Sequence, residues 1–323
     1  MLAVIAASIC LVGCGINTPT PRGYEPLSPR TLAQLEHKHM SKESPILIRL
    51  FKEESELEVW KQDNSGRFAL LKTYPICRWS GELGPKIREG DRQAPEGFYT
   101  VTPGQMNPNS HSYLSFNIGY PNAFDRAYGR TGGDIMVHGD CSSRGCYAMT
   151  DEQISEIYAL ARESFSGDQQ WFQVQAYPFR MTPLNLAKHR NSPNMPFWRM
   201  LKDGNDHFEV THLEPKVNVC EYRYVFDAEI GDGLLSSGAD NGAGTWRGTD
   251  AAAITRATPF DPTGWCPAYQ ISPNLAAAVA QKDRRDEAEM AEFVERGKST
   301  MAIRTGRDGG THPMFQQRAS NWN

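Results

Sequence analysis

One histidine and one cysteine have the spacing and the surroundings of a catalytic pair. His138 follows the apolar run 135–137, which predicts a buried strand, and Cys146 comes eight residues later, directly after Gly145. Thr150 begins the pattern of a helical capping box, so we expect a helix just after Cys146. A thiol ahead of a helix N-terminus has a lowered pKa, which would make Cys146 a reactive thiolate.

These residues could together carry out acyl transfer. A thiolate needs a base that takes its proton and hydrogen-bond donors that hold the developing oxyanion. His138 is the candidate proton donor and acceptor, and the backbone N–H groups of Gly145 and Cys146 are the candidate oxyanion hole. The expected reaction is attack of Cys146 on a carbonyl carbon, followed by transfer of the acyl group from the thioester.

Two other interpretations use the same residues. Cys146 and His138 could be an ordinary buried thiol and a hydrogen-bonded polar side chain. A zinc site is the second alternative, because His138, Cys141 and Cys146 are all possible ligands. The chain contains no second C-x-x-C or H-x-x-H cluster, so we expect no metal.

Composition and charge restrict the class of protein. The chain has 323 residues, of which 39% are apolar and 22% charged, as expected for one large or two modest globular domains. Its formal net charge of −4 argues against a nucleic-acid partner. It has no phosphate-binding P-loop and no paired-glycine nucleotide motif, and acyl transfer by a thiol needs no cofactor.

The sequence around the cysteine resembles the signature of the YkuD-type L,D-transpeptidases, and its short form resembles the YafK branch of that family. The motif residues are His-Gly-Asp-Cys at 138–141 and Gly-Cys-Tyr-Ala-Met-Thr-Asp at 145–151. Further similarity precedes the motif at 84–99 and follows it at 197–204. The resemblance covers roughly residues 45–226 and implies a β-rich α+β fold, a YkuD-like β-sandwich.

The motif departs from the wider family at two positions. Most members have a histidine two residues before the cysteine and an arginine two residues after it, where this chain has Arg144 and Ala148. Arg144 is therefore a candidate for holding a substrate carboxylate. The resemblance adds further candidates for the substrate cleft, namely Gly139, Ser143, Tyr113 and Arg130, with Asn117 and Tyr120 nearby.

The resemblance implies an enzyme of peptidoglycan. Cys146 would attack the carbonyl on the L-centre of meso-diaminopimelate in a stem peptide, and D-alanine would leave with a proton from His138. Transfer to another stem peptide would make a 3–3 crosslink, and transfer to a lysine would anchor a lipoprotein. Transfer to water would instead make an amidase that cleaves such bonds, and a non-catalytic peptidoglycan-binding lipoprotein is a further alternative. The sequence does not choose between these outcomes.

The N-terminus resembles a lipoprotein signal peptide. Residues 1–14 are an apolar run that is too short to span a bilayer and ends in Leu-Val-Gly-Cys. We expect a lipid anchor on Cys14 and a location in the bacterial periplasm, where Gly15 favours the outer membrane. A plain secretory signal is the alternative. No Lys or Arg precedes the run, which leaves the true start codon open.

The remaining chain divides into four expected segments. They are a proline-dotted tether at 15–44 with a short helix at 32–40, the catalytic domain at 45–180, a family-specific extension at 181–226, and a partly helical, partly disordered accessory region at 227–323. The alternating stretch 216–226 predicts one strand. Ser272 and Pro273 predict the start of a helix in the accessory region.

Four cysteines remain after the signal, the lipid site and the nucleophile are set aside. Cys77, Cys141, Cys220 and Cys266 allow three pairings, and an oxidising periplasm permits disulfides. We expect Cys220 to pair with Cys266. We expect Cys141 to be free rather than to form a redox lock with Cys146.

Overall fold

The computed structural model describes residues 20–230, 260–297 and 309–319, so the predictions for the signal peptide and for Cys14 lie outside the described residues. The helices are α1 (Pro29–His37), α2 (Ala123–Ala127), α3 (Asp151–Ser166), α4 (Pro183–His189), α5 (Met195–Thr211), α6 (Pro273–Glu295) and α7 (Pro313–Ala319), with a 3₁₀ turn at Pro103–Gln105. The strands are β1 (Ile46–Phe51), β2 (Glu56–Gln62), β3 (Phe68–Pro75), β4 (Arg78–Trp79), β5 (Gly97–Val101), β6 (Met106–Asn107), β7 (Ser115–Asn117), β8 (Met136–His138), β9 (Tyr147–Ala148), β10 (Phe172–Tyr177), β11 (Val217–Cys220), β12 (Arg223–Phe226), β13 (Glu229–Ile230) and β14 (Tyr269–Gln270).

Two five-stranded sheets form the body of the protein. One has the strand order β3-β2-β1-β10-β5, and the other has the order β4-β9-β8-β7-β6. Apolar side chains of both sheets and of α3 share one buried core, with Ile48 from the first sheet, Val137 from the second and Ile157 from the helix. This architecture confirms the predicted α+β, β-rich fold.

The helix expected after the cysteine begins where its cap predicts. The Thr150 side chain accepts the N–H of Gln153, and the Gln153 side chain accepts the N–H of Thr150, so both ends of the capping box are formed. Ile154 and Ile157 then lie on the buried face. The helix starts at Asp151. Strand β9 lies between this helix and Cys146, so the cysteine does not directly precede the helix N-terminus.

Residues before the first strand pack onto the domain, which differs from the expected tether. Helix α1 is capped by Ser28 and lies three residues earlier than predicted. Leu27, Leu35 and Met40 are buried in the core shared by the two sheets. The tether prediction is therefore wrong for this part of 15–44, because these apolar side chains lose contact with water when they pack. The boundaries at 45, 181 and 227 stay predictions.

Stretch 216–226 forms a hairpin and not the single strand that its alternation predicted. Strands β11 and β12 pair antiparallel, and the chain turns at Glu221 and Tyr222, whose φ angles are 48° and 58°. Cys220 in β11 forms a disulfide with Cys266, as predicted. Period-two alternation is the same in one strand and in two strands joined by a two-residue turn, so the pattern could not reveal this turn.

The accessory region contacts the rest of the chain at several places besides the Cys220–Cys266 disulfide. Helix α6 packs against α4 and α5, where Lys202 contacts Asp206, Asp283 and Asp286. Residues near 310 reach back to the sheet that carries β4. Within the described residues, no helix combines the length and the apolarity needed to cross a membrane.

Candidate functional site

The second sheet brings the predicted pair together on neighbouring strands. His138 is the last residue of β8, and Cys146 directly precedes β9. The two strands are parallel neighbours, with Val137 beside Tyr147 and His138 beside Ala148. The loop 139–146 joins them, so both candidate catalytic residues lie at the ends of one loop and at one region of the sheet.

The first half of this loop is held by the start of α3. Asp140 and Cys141 have φ angles of 70° and 44°, and the N–H of Asp140 donates to Asp151 Oδ1 at 2.9 Å. A Cβ on Gly139 would lie 2.5 Å from the same carboxylate oxygen. Close packing therefore requires glycine at position 139, and this requirement does not depend on substrate binding.

A disulfide fixes the same loop to β4. Cys141 is bonded to Cys77, which directly precedes β4, so the expectation of a free Cys141 is wrong. The sequence could not show this bond because 64 residues separate the two cysteines. With Cys141 oxidised, its thiolate is not available to the zinc alternative, and no group of three metal-ligating side chains occurs among the described residues.

Ser143 organises the backbone around the cysteine. Its Oγ accepts the N–H groups of Gly145 at 3.3 Å and Cys146 at 3.1 Å, and its hydroxyl donates to the carbonyl of Cys146 at 2.7 Å. The N–H groups predicted as the oxyanion hole therefore already face an acceptor within the loop. Gly145 has a φ of 130°, a conformation that side chains rarely adopt.

The thiol of Cys146 is surrounded by backbone groups rather than by a helix N-terminus. The N–H of Met136 donates to Sγ at 3.4 Å, and Sγ lies 3.9 Å from the carbonyl oxygen of Asp134. Burial raises the pKa of this thiol above its ordinary value. The Met136 N–H and the positive charge of Lys86 favour the thiolate and lower the pKa, but their effect is smaller than that of burial. The expected low pKa is wrong for the free protein, because β9 keeps the thiol away from α3 and desolvation dominates.

The imidazole of His138 is oriented for proton transfer. Its Nδ1 lies 2.6 Å from the carbonyl oxygen of Gly139, so the neutral ring donates through Nδ1 and leaves Nε2 as an acceptor. Burial lowers the pKa of His138 below its ordinary value. Among the described residues, no hydrogen bond joins this ring to Sγ of Cys146. The free site therefore contains a neutral thiol and a neutral imidazole.

The remaining candidates divide into those beside the thiol and those elsewhere. Asn117 donates to the Asp134 side chain at 3.4 Å, and the Tyr120 ring lies 5.8 Å from Lys86 Nζ, so both belong to the surroundings of Cys146. Arg144 is an exposed side chain of the loop.

Arg130 and Tyr113 lie elsewhere. Arg130 is buried, pairs with Asp125 at 2.8 Å and stacks near aromatic rings, so its assignment to the substrate cleft is corrected to a structural role. Tyr113 lines a cavity of about 650 Å³ between α1 and α3, on the Gly139 side of the loop. Its hydroxyl lies 3.2 Å from Ser155 Oγ.

Two residues of the site had no signal of their own in the sequence. Lys86 is almost fully buried, forms an ion pair with Asp91 and adds positive charge near the thiol. It falls within the similar stretch 84–99, which could have pointed to it. Ser80 Oγ lies 2.8 Å from Ser143 Oγ. An isolated serine 63 residues before its partner carries no pattern that could have found it.

Comparison with known proteins shows that this chain is similar to L,D-transpeptidases. The model of the L,D-transpeptidase catalytic domain, YkuD, matches residues 46–168. The YafK proteins of Escherichia coli strains K12 and O157:H7, to which L,D-transpeptidase activity is assigned by name only, are each 45% identical to this chain over 198 residues, which cover 61% of this chain and 80% of theirs.

A solved structure of the helical cell shape determining protein Pgp2 from Campylobacter jejuni shares 22% identity over 46% of this chain and 56% of that chain, with a TM-score of 0.33. This chain thus spans little more than half of that protein. At such a score the structural likeness carries no argument about function.

Proposed function

Because this chain belongs to the family of L,D-transpeptidases with a YkuD catalytic domain, we propose that it is a peptidoglycan acyltransferase that works through a thioester on Cys146. The observation that carries the proposal is the arrangement of Cys146 and His138 at the two ends of one anchored loop. Cys146 is also the free cysteine of the described residues, since the other four form disulfides.

The neutral pair becomes reactive when substrate closes the site. The thiol proton passes to Nε2 of His138, and the Met136 N–H and the Lys86 charge stabilise the thiolate that remains. The sulfur then attacks the substrate carbonyl, the carbon–nitrogen bond breaks, and His138 returns the proton to the leaving amine. Attack of an acceptor amine on the thioester restores the thiol, with His138 carrying the proton in the opposite direction.

The oxyanion needs donors that Ser143 occupies in the free site. The N–H groups of Gly145 and Cys146 can hold the tetrahedral oxyanion only after the Ser143 hydroxyl rotates away from them. In this proposal the substrate carbonyl takes the place of that hydroxyl, so the donors are already positioned before the reaction starts.

The substrate in this proposal is the stem peptide of peptidoglycan, with meso-diaminopimelate as acyl donor and D-alanine as leaving group. The acceptor is the amine of a second stem peptide or of a lipoprotein lysine, and water as acceptor would make the enzyme a hydrolase. A lipid anchor on Cys14 would place the protein at the bacterial outer membrane, facing the periplasm. Arg144, which is exposed in the loop, is the proposed contact of the donor peptide.

A soluble form without residues 1–14 tests this proposal with a donor tetrapeptide, with and without an acceptor peptide, while D-alanine release and intact protein mass are measured. The expected result is an acylated Cys146, D-alanine release and a crosslinked product, all absent from Cys146→Ala. Release without crosslinking, on peptides and on lipoprotein-bearing peptidoglycan, would instead identify a hydrolase. Equal D-alanine release and equal protein mass for the unchanged protein and Cys146→Ala would contradict the enzyme proposal and favour a non-catalytic binding protein.

A further inference from the structure

We propose that residues 309–312 form a positioning strand that holds the catalytic loop through β4. This inference rests on the proposed function, because it assigns the strand a role at the site around Cys146. The segment lies outside residues 46–168, the part of the chain that matches the YkuD catalytic domain.

The segment pairs with the outer edge of the second sheet. Strand β4 is the terminal strand of that sheet, with β9 on one side. On its other side, the N–H of Trp79 donates to the carbonyl of Gly310 at 3.0 Å, and the N–H of Gly310 donates to the carbonyl of Trp79 at 3.1 Å. The N–H of His312 donates to the carbonyl of Ile76 at 3.2 Å. These bonds satisfy backbone groups that an edge strand would otherwise leave unpaired.

Two glycines allow this close approach. A Cβ on Gly309 would lie 1.7 Å from the carbonyl oxygen of Trp79, and a Cβ on Gly310 would lie 2.4 Å from its indole nitrogen. Trp79 has no exposed surface, and its indole N–H donates to Ser55 Oγ at 3.0 Å, so it has little room to move. A side chain at either glycine must therefore displace the segment.

Strand β4 is in turn connected to the catalytic loop on both sides of Cys146. Arg78 and Trp79 pair with Ala148 and Tyr147, which follow the cysteine. The Cys77–Cys141 disulfide holds the loop before the cysteine.

A side-chain contact completes this connection. Ser80 Oγ lies 2.8 Å from Ser143 Oγ, the atom that accepts the N–H groups of Gly145 and Cys146. The path from Gly310 through Trp79, Ser80 and Ser143 to Cys146 consists of hydrogen bonds and one peptide bond.

Without the segment, β4 would keep its short ladder with β9, the disulfide at Cys77 and the bond from the Ala94 N–H to the Ser80 carbonyl, but its outer edge would be unpaired. Because Ser80 directly follows this strand, we expect its Oγ to shift relative to Ser143, and the N–H groups of Gly145 and Cys146 that Ser143 orients in the free site would then lose their alignment. A displacement of about 1 Å at a catalytic group can lower turnover by about a hundredfold. Since the affected groups position the reacting atoms, we expect loss of the segment to lower kcat and to leave KM unchanged.

The test compares Gly310→Ala with the matched control Gly104→Ala, both in the otherwise unchanged chain. A Cβ on Gly104 meets Thr102 Oγ1 only at an ordinary 3.9 Å. Hydrogen exchange of the Trp79 amide reports whether the segment is released, because that N–H donates to Gly310. Gly309→Val, which adds a side chain against the Trp79 carbonyl, is the second variant.

We expect faster Trp79 exchange, a kcat for D-alanine release lowered about tenfold or more with KM unchanged, and a several-fold faster alkylation of Cys146 by iodoacetamide. Gly104→Ala should change none of these. In a double-mutant cycle, Ser80→Ala should add little to Gly310→Ala, because both act through Ser143.

The proposal is overturned if the Trp79 amide exchanges faster but kcat and Cys146 alkylation stay at the control values. It is also overturned if the effects of Ser80→Ala and Gly310→Ala on kcat are additive in the double variant. It is equally overturned if Trp79 stays protected in both glycine variants, since the close fit would then be absent. Alkylation needs no peptide substrate. A native protein without D-alanine release would therefore contradict the proposed function while the alkylation arm still decides the positioning role.

Discussion

The charge state of the proposed catalytic pair, Cys146 and His138, is decided by desolvation. His138 is buried and Cys146 is half-buried, and desolvation raises the pKa of the thiol and lowers that of the imidazole. A thiolate–imidazolium pair would need the reverse of both shifts. The pair is therefore neutral in the free protein, and ionisation belongs to the substrate complex.

A pH profile of Cys146 alkylation by iodoacetamide tests this charge state. The thiolate is the nucleophile, so the rate should rise with pH through a midpoint above that of an ordinary cysteine thiol. His138→Gln should leave this midpoint in place while abolishing D-alanine release, because the imidazole does not stabilise the thiolate in the free protein. A low-pH limb that disappears in His138→Gln would contradict the neutral pair.

Lys86 is the second residue whose effect can be isolated. Its buried charge favours the thiolate of Cys146, so Lys86→Met should move the midpoint of the alkylation profile to higher pH. Lys72→Met is the matched control, because Lys72 pairs with Glu156 at the surface between α1 and α3. Equal midpoints in the two variants would show that Lys86 acts only by holding Asp91.

At the scale of elements, the loop between β8 and β9 is shaped by its neighbours. Asp151 at the start of α3 holds Asp140, and the disulfide to Cys77 holds Cys141. These attachments fix the first half of a loop that contains three residues with positive φ, namely Asp140, Cys141 and Gly145. The loop's conformation is therefore set by tertiary contacts and not by its own preferences.

The two disulfides provide a matched pair of variants. Cys77→Ala/Cys141→Ala and Cys220→Ala/Cys266→Ala open chain separations of 64 and 46 residues, so each should lower the free energy of unfolding by about 2–4 kcal/mol in denaturant titrations. Only the first pair should also lower kcat for D-alanine release, because only Cys141 lies in the catalytic loop. An equal loss of kcat in both would assign the first disulfide to general stability.

For the whole molecule, the buried Lys61 links stability to pH. Its ammonium donates to the carbonyls of Lys42 and Ser44, and burial lowers its pKa to about 7. The unfolded chain, with an ordinary lysine pKa, binds more protons than the folded chain between about pH 7 and pH 10. Stability due to this group therefore increases as pH rises through that range and is smallest below pH 7.

Denaturant titrations between pH 7 and pH 10 measure this linkage. The slope of unfolding free energy against pH should be less positive in Lys61→Met than in the native protein. Lys38→Met is a useful control, because Lys38 also donates to a backbone carbonyl, that of Leu70, but directly follows α1 and is only half-buried. Parallel slopes in Lys61→Met and the native protein would show that Lys61 keeps its charge in the folded state.

Local sequence determined a large part of the fold and indicated the candidate catalytic pair. The capping box of α3, the apolar run before His138 and the glycine before Cys146 are each formed as predicted, because caps, buried runs and glycine conformations depend on nearby residues. The pairing of Cys220 with Cys266 was also predicted.

Tertiary structure alone decided the state of the site. The Cys77–Cys141 disulfide, the contact of Ser80 with Ser143 and the return of Gly310 to Trp79 join residues 63 or more positions apart, and no local pattern encodes such distances. The pKa shifts of Cys146 and His138 likewise follow from desolvation, which arises only in the folded protein. Sequence thus specified which groups can react, and packing specified their charge and position.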